Sequence, residues 1–175
     1  PLWHACRRAD TGEGQGDPSM DPLHADQYLV WEANTVFSGD WFWNGGQVKD
    51  LDAMIEHYYA TIGRGSTFLP NFAPDRRGRM PDLVHARARA FGDWQRATFS
   101  TPVATARTDQ NSLELQLDSP TTIAHIVLQE DLRHGQRIAA FTIEVDAGDG
   151  WQKLAEGHSI GQTRIIRLLD QPTIR

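Results

Sequence analysis

The spacing of apolar residues changes part-way along this chain, and that change limits the folds available to it. In the first part, apolar residues recur every three or four positions over residues 51–62, and Asp50 is placed to cap the helix that this spacing predicts. A second helix is predicted over residues 81–95 on the same grounds. Apolar runs of strand length, residues 28–37 and 67–72, precede the two helices. This order of strand, helix, strand and helix is typical of a parallel α/β fold.

In the second part the period becomes two, which is the period of a strand with one buried face. The alternating residues are Leu113, Leu115 and Leu117 in one segment and Phe141, Ile143 and Val145 in another. A further apolar run covers residues 164–169, and several short strands at this spacing indicate an antiparallel β-sandwich. We therefore predict an α/β domain over residues 1–99, a polar linker over 100–111 and an all-β domain over 112–175.

Length, charge and cysteine content limit the class of protein. With 175 residues the chain is too short for a complete eight-stranded β/α barrel, which takes about 250 residues. Its net charge of −6 disfavours a nucleic-acid partner, because such partners are bound through clustered lysines and arginines. Cys6 is the single cysteine, so the chain has no internal disulfide. No apolar run approaches the roughly 20 residues of a membrane span.

Three short blocks in the first part are more specific than these patterns. They are Trp41-Phe42-Trp43-Asn44, then Tyr58-Tyr59-Ala60-Thr61-Ile62-Gly63-Arg64-Gly65, then Phe68-Leu69-Pro70-Asn71-Phe72-Ala73-Pro74-Asp75-Arg76-Arg77-Gly78. Together, and in this order, they resemble the C-terminal end of the catalytic barrel of glycoside hydrolase family 29, the α-L-fucosidases. The later segment of residues 129–138, with Ile160-Gly161 downstream, resembles the galactose-binding-like sandwich that follows the barrel in many of these enzymes.

The resemblance implies both a fold and an activity. The chain would be the C-terminal part of a (β/α)8-type barrel followed by a truncated antiparallel β-sandwich, and its ends at Pro1 and Arg175 suggest a fragment. The parent enzyme would hydrolyse terminal α-L-fucose from a fucosylated oligosaccharide or glycoconjugate, with retention and without a cofactor. Its nucleophilic aspartate and acid/base glutamate are expected before residue 1, so the fragment alone is expected to be inactive. The family also suggests a periplasmic or secreted protein.

Residues that follow the strands of a β/α barrel form its active site, which here directs attention to residues 32–44 and 71–77. The candidate substrate-binding residues are Trp41, Glu32, Trp43 and Asn44, with the amides Asn34 and Asn71 nearby. Indole rings stack on the apolar faces of a sugar, and polar groups bond its hydroxyls. At most one of Trp41 and Trp43 is expected to face the sugar, and core packing is the alternative for each. Asn44 stands where the family commonly has histidine.

The acidic residues of these segments leave alternatives open. Glu32 either contacts sugar hydroxyls or is a structural carboxylate paired with an arginine. Glu32 with Asp40 is the local pair that could imitate the two carboxyl groups of a retaining glycosidase, which lie about 5–5.5 Å apart. Asp75 is expected to fix the turn after the second strand, or to bond Arg77, rather than to take part in catalysis.

Two other functions, metal binding and non-catalytic sugar binding, are less well supported by the sequence. The seven histidines show no HExxH or similar spacing, so no metal is expected. A non-catalytic carbohydrate-binding module built on the second part would need an exposed aromatic surface, and Trp151 is the single tryptophan there. The second part is therefore expected to support the barrel rather than to bind sugar.

Overall fold

The computed structural model describes residues 32–146, 148 and 150–174. An α/β part comes first and an all-β part follows, in the order that the hydrophobic periods predict. The strand predicted over residues 28–37 is present from Glu32 onward, and its earlier positions lie outside the described residues.

The α/β part is a β-α-β-α unit. Its elements are β1 (Glu32–Val36), α1 (Leu51–Ala60), β2 (Thr67–Asn71) and α2 (Asp82–Phe99). β1 and β2 run parallel, with Glu32 opposite Thr67 and Val36 opposite Asn71. Because parallel strands need a crossover, α1 carries the chain from the carboxyl end of β1 back to the amino end of β2. The loops that leave β1 and β2 therefore lie side by side at one edge of the sheet.

Local signals fix both ends of α1. The Asp50 carboxylate accepts a hydrogen bond from the Ala53 amide at 2.7 Å, which satisfies one of the unpaired N–H groups of the first turn and confirms the predicted cap. The α-helix ends at Ala60, two residues earlier than predicted, and a 3-10 turn over Ile62–Arg64 follows. Gly65 closes that turn with a φ of 83°, a left-handed conformation that glycine adopts without steric cost.

Aromatic rings form the core between the parallel strands and the helices. Phe37 is fully buried and meets Phe68, Phe72 and Phe91 edge-on, at centroid distances of 5.6, 5.0 and 5.7 Å. Tyr58 of α1 continues the cluster, because its ring lies 6.0 Å from that of Phe91. Edge-to-face pairs of this kind stabilise a core beyond the area they bury.

The helix α2 extends four residues past its predicted end at Gln95. Phe99 lies in this extra turn, and its ring stacks on that of Tyr58 at 5.6 Å. Trp94 contacts the same tyrosine edge-on at 5.3 Å. The additional turn therefore places a ring against a neighbouring helix, a tertiary contact that the apolar spacing along α2 does not include.

The all-β part contains six short strands in the described residues. They are β3 (Thr121–Thr122), β4 (His125–Leu128), β5 (Phe141–Asp146), β6 (Trp151–Gly157), β7 (Arg164–Arg167) and β8 (Thr173–Ile174). These strands pair antiparallel, β3 with β8, β4 with β7 and β5 with β6. The strands predicted over residues 141–145 and 164–169 are confirmed, although the second ends at Arg167.

The prediction of a strand from the alternation of Leu113, Leu115 and Leu117 is wrong. Residues 100–120 contain no helix or strand, and Leu113 and Leu115 are 53% and 45% exposed. Alternation gives a segment one apolar face, but a strand forms where a neighbouring strand pairs with its amides and carbonyls. In the described part of the chain, no strand pairs with this segment. The irregular stretch is accordingly longer than the predicted linker.

A polar cluster joins the all-β part to α1. The Tyr59 hydroxyl lies 2.7 Å from His125 Nε2, and the two rings stack at 5.6 Å. Arg167 bonds the Glu56 carboxylate at 2.5 Å, and its guanidinium carbon lies 4.7 Å from the centre of the Tyr59 ring. Since His125 belongs to β4 and Arg167 to β7, these contacts hold that strand pair against α1.

We expect this cluster to weaken in mild acid. Burial, reinforced by the positive charge of Arg167, holds the pKa of His125 below its ordinary value of 6.5. Near pH 6 the unfolded chain therefore binds more protons here than the folded chain. The free energy of unfolding consequently falls as the pH drops below about 6.5, until folded His125 is also protonated. Urea unfolding of the full-length gene product between about pH 5.5 and 7.5 measures this dependence.

The variant His125→Gln keeps a polar partner for Tyr59 and cannot titrate. It should therefore reduce the slope of the free energy of unfolding against pH. His85→Gln removes an exposed histidine on α2 and should preserve it. Equal slopes in wild type and His125→Gln would assign the pH dependence to other groups.

Candidate active site

The loop that leaves β1 is closed at its base by main-chain contacts. We call residues 38–48 the tryptophan loop. Ser38 and Val48 form an isolated antiparallel bridge, and the Gly39 amide donates to the Gln47 carbonyl at 2.8 Å. The segment between these contacts therefore projects from the end of β1 as a closed unit with Trp41, Trp43 and Asn44 on it.

The two tryptophans of this loop have different surroundings. The Trp43 ring lies over Gly46, where an added Cβ would be 2.9 Å from the ring carbon Cη2. Gly46 also has a φ of 86°, so the backbone and the ring both require glycine there. Trp41 is 47% exposed. Of the two indoles, Trp41 is thus the more exposed, while Trp43 packs on its own loop.

Glu32 and Asp40 lie far apart along the chain direction of β1: Glu32 begins the strand, and Asp40 lies in the loop that follows it. The Asp40 carboxylate accepts a hydrogen bond from the Trp41 amide at 2.7 Å, so it stabilises the turn into the tryptophans. Glu32 begins β1, about 13 Å before Val36 at a rise of about 3.3 Å per residue. The expectation that Glu32 lies at the carboxyl end of the strand is therefore wrong, because four more strand residues separate it from the loop. The structure gives no support to this pair as a dyad.

Glu32 does share a sheet face with other polar candidates. Side chains alternate along a strand, and residues paired across parallel strands point the same way. The rings of Phe37 and Phe68 meet Phe91 of α2, so the intervening residues occupy the opposite face. On that face lie Glu32, Asn34 and Val36 from β1 and Thr67, Leu69 and Asn71 from β2. Glu32 and Asn34 are exposed there, which leaves their polar groups accessible.

The loop that leaves β2 is held by Asp75. Its carboxylate accepts hydrogen bonds from the Arg77 and Arg79 amides at 2.8 and 3.2 Å, and from the Arg77 guanidinium at 2.7 and 2.9 Å. The bond from the Arg77 side chain is the main cause that holds the pKa of Asp75 below its ordinary value. The interpretation of Asp75 as a residue that fixes the turn is confirmed.

Hydrogen bonds join the two neighbouring loops. Asn71 Nδ2 donates to the Trp41 carbonyl at 2.9 Å, and the Phe37 amide donates to the Asn71 carbonyl at 3.0 Å. The Ala73 amide donates to Ser38 Oγ at 2.9 Å. Sequence reasoning missed Ser38, although a hydroxyl residue directly after a predicted strand is the signal that could have found it.

The tryptophan loop and the open face of the sheet therefore expose an indole, amides and a carboxylate. The exposed candidates are Trp41 and Asn44 on the tryptophan loop and Glu32 and Asn34 on the sheet face. Such a mixture suits a sugar, whose ring has apolar C–H faces and a rim of hydroxyls. Within residues 32–146, 148 and 150–174, no group of three or more His, Cys, Asp or Glu side chains is arranged to hold a metal. No helix in the same residues is long and apolar enough to cross a membrane.

Comparison with known proteins shows which sequences and solved structures this chain is similar to. No family model matches the chain. It is 22% identical to alpha-L-fucosidase 1 of Arabidopsis thaliana, over 96% of this chain and 41% of that protein. A Ruminococcus gnavus GH29 fucosidase, solved in complex with fucose, matches with a TM-score of 0.75 and 25% identity, over 86% of this chain and 37% of its own. A glycoside hydrolase 29 family member from an unknown rumen bacterium matches with a TM-score of 0.69 and 28% identity, over 86% of this chain and 29% of its own.

The sequence and backbone matches agree on one class of protein, the glycoside hydrolases. Within that class, these relatives are an α-L-fucosidase, a GH29 fucosidase and a glycoside hydrolase 29 family member, and family 29 is the one that the three sequence blocks resemble. The chain spans 41% of the length of its Arabidopsis relative and 37% of the Ruminococcus chain. The matches therefore cover a part of those proteins.

Proposed function

We propose that the protein containing this chain is a retaining α-L-fucosidase that removes terminal fucose from glycans. The tryptophan loop forms one wall of its sugar site. The observation that carries this proposal is the half-exposed Trp41, held at the carboxyl edge of a parallel sheet where β/α enzymes bind their substrates. The similarity to family 29 enzymes, and the fucose bound by the Ruminococcus relative, support fucose as the sugar.

Each candidate residue has a role in this proposal. Fucose is a deoxy sugar with a methyl group at C5, and the Trp41 indole stacks on that apolar edge. Trp43 shapes the loop that carries Trp41, while Asn44 and Glu32 hydrogen-bond sugar hydroxyls. The two carboxyl groups that cleave the glycosidic bond are expected, from the family resemblance, before residue 1. No cofactor takes part.

The architecture is part of the same proposal. We assign residues 1–99 to a (β/α)8-type barrel and residues 112–175 to a β-sandwich. The parallel pairing of β1 with β2 supports the barrel, as does Leu69, which is 47% exposed on the sheet face that a barrel would enclose. The antiparallel pairs β3–β8, β4–β7 and β5–β6 support the sandwich.

An activity panel with the full-length gene product tests the function. The substrates are aryl glycosides that share one leaving group and differ in the sugar: α-L-fucose, β-L-fucose, β-D-galactose and α-L-rhamnose. We expect turnover of the α-L-fucoside, with release of α-L-fucose as the first product seen by proton NMR. Turnover of another glycoside in preference to this one, or first release of the β-anomer, would contradict the proposal.

A further inference from the structure

The side chain of Asn71 makes a contact that its place in the sequence does not suggest. Its amide nitrogen donates to the main-chain carbonyl of Trp41 across 30 residues, at 2.9 Å. Since a carbonyl oxygen can only accept, the contacting atom must be the nitrogen of the amide. The amide that sequence reasoning offered as a sugar ligand is therefore directed at the loop that carries the tryptophan.

This contact lies beyond the bonds that close the tryptophan loop. The bridge between Ser38 and Val48 and the bond from Gly39 to Gln47 hold the base of the loop. Trp41 lies further out, where its amide bonds only the adjacent Asp40 carboxylate among the contacts described. Among the described residues, the bond from Asn71 is thus the tie between this part of the loop and the neighbouring strand.

We propose that Asn71 is a positioning residue that fixes the orientation of Trp41 at the edge of the sheet. The kinetic consequence rests on the proposed fucosidase function, but the structural consequence does not. Without the Asn71 donor, the main chain at Trp41 exchanges one fixed partner for water, and the indole samples more orientations. Stacking on a sugar then requires the ring to be reordered at the moment of binding, which lowers affinity.

The strand itself does not depend on the amide. The Phe37 amide donates to the main-chain carbonyl of Asn71, a bond that any residue at this position can accept. Asn71→Asp therefore preserves the size of the side chain and the main-chain ladder but replaces the donor with an acceptor. Asn111→Asp is the matched control, because it makes the same chemical change at an exposed position in the irregular segment.

The first readout is independent of catalysis. In the full-length gene product, the fluorescence difference between wild type and Trp41→Phe isolates the signal of Trp41. We expect Asn71→Asp to increase acrylamide quenching of that signal, and Asn111→Asp to leave it unchanged. Unchanged quenching in Asn71→Asp would overturn the positioning role, whatever the kinetics show.

The second readout is a double-mutant cycle on the aryl α-L-fucoside. Asn71→Asp should lower kcat/KM by roughly two- to tenfold, the range expected for one lost hydrogen bond. In a Trp41→Ala background the same substitution should have little further effect, because the ring it positions is absent. Equal effects in both backgrounds would show that Asn71 acts elsewhere. Increased quenching without any fucoside turnover would reject the proposed function while leaving the positioning role in place.

Discussion

We expect the Phe37→Ala substitution to lower the free energy of unfolding by about 3–5 kcal/mol, the range for a large aromatic residue truncated in a core. Phe37 is fully buried and touches rings from β2, from the loop after it and from α2. Its removal leaves a cavity between the sheet and α2 that the three surrounding rings cannot all fill. The loss should also disturb the tryptophan loop, which begins at the next residue.

Phe42→Ala provides a matched control for this result. It removes the same side chain five positions along, where the ring is 84% exposed. Exposed substitutions of this kind usually change stability by less than about 0.5 kcal/mol. Thermal and urea unfolding of the two full-length variants beside wild type should therefore separate them clearly. Similar stabilities would mean that Phe37 is not part of the core that holds the sheet against the helices.

Much of the α/β part could be predicted because its signals are local. Asp50 caps α1 through its own side chain, and the apolar spacing behind it identifies the helix without reference to the rest of the chain. The alternation of strands and helices then predicts a parallel pair, which the register of β1 with β2 confirms. The role of Asp75 could be predicted for the same reason, because both of its partners, Arg77 and Arg79, lie within four residues of it.

The errors arise where long-range contacts decide the structure. Leu113 to Leu117 has the alternation of a strand, yet a strand also needs a partner, and the sequence of the segment does not specify one. The end of α2 depends on the stacking of Phe99 on Tyr58 from another helix. Glu32 was expected at the carboxyl end of the strand, but it begins β1, where its exposed position on the open face accommodates a carboxylate within the strand.

The candidate site was predictable as a set of residues and not as a set of contacts. Residues two apart on an extended segment share a side, yet Trp41 and Trp43 have different surroundings, because these depend on the loop. Gly46 accommodates the Trp43 ring, and Asn71 reaches Trp41 from a strand 30 residues away. Neither contact follows from periodicity, because both depend on how the loop closes at the edge of the sheet.

The second large effect is expected for Trp41→Ala in the full-length enzyme. An aromatic stack contributes about 0.5–1.5 kcal/mol beyond the area it buries, and truncation also removes that area. We therefore expect kcat/KM for the aryl α-L-fucoside to fall roughly tenfold or more. Since Trp41 is 47% exposed, the fold should tolerate the change, and the unfolding transition should remain close to that of wild type.

Trp151→Ala is the control that separates the two possible functions of the chain. Trp151 is 58% exposed on β6, in the part that a non-catalytic carbohydrate-binding module would use. Its removal deletes the same side chain from the all-β part and leaves the tryptophan loop untouched. A fucosidase whose sugar site includes the tryptophan loop should retain its activity on a small aryl fucoside in this variant.

The ratio of kcat/KM between Trp41→Ala and Trp151→Ala, measured with the aryl α-L-fucoside on folded full-length protein, tests most directly whether the tryptophan loop forms the sugar site. We predict that kcat/KM of Trp41→Ala is roughly tenfold or more lower than that of Trp151→Ala, and that Trp151→Ala equals wild type. Equal kcat/KM values in the two variants, or a loss confined to Trp151→Ala, would contradict the assignment of the tryptophan loop to the sugar site.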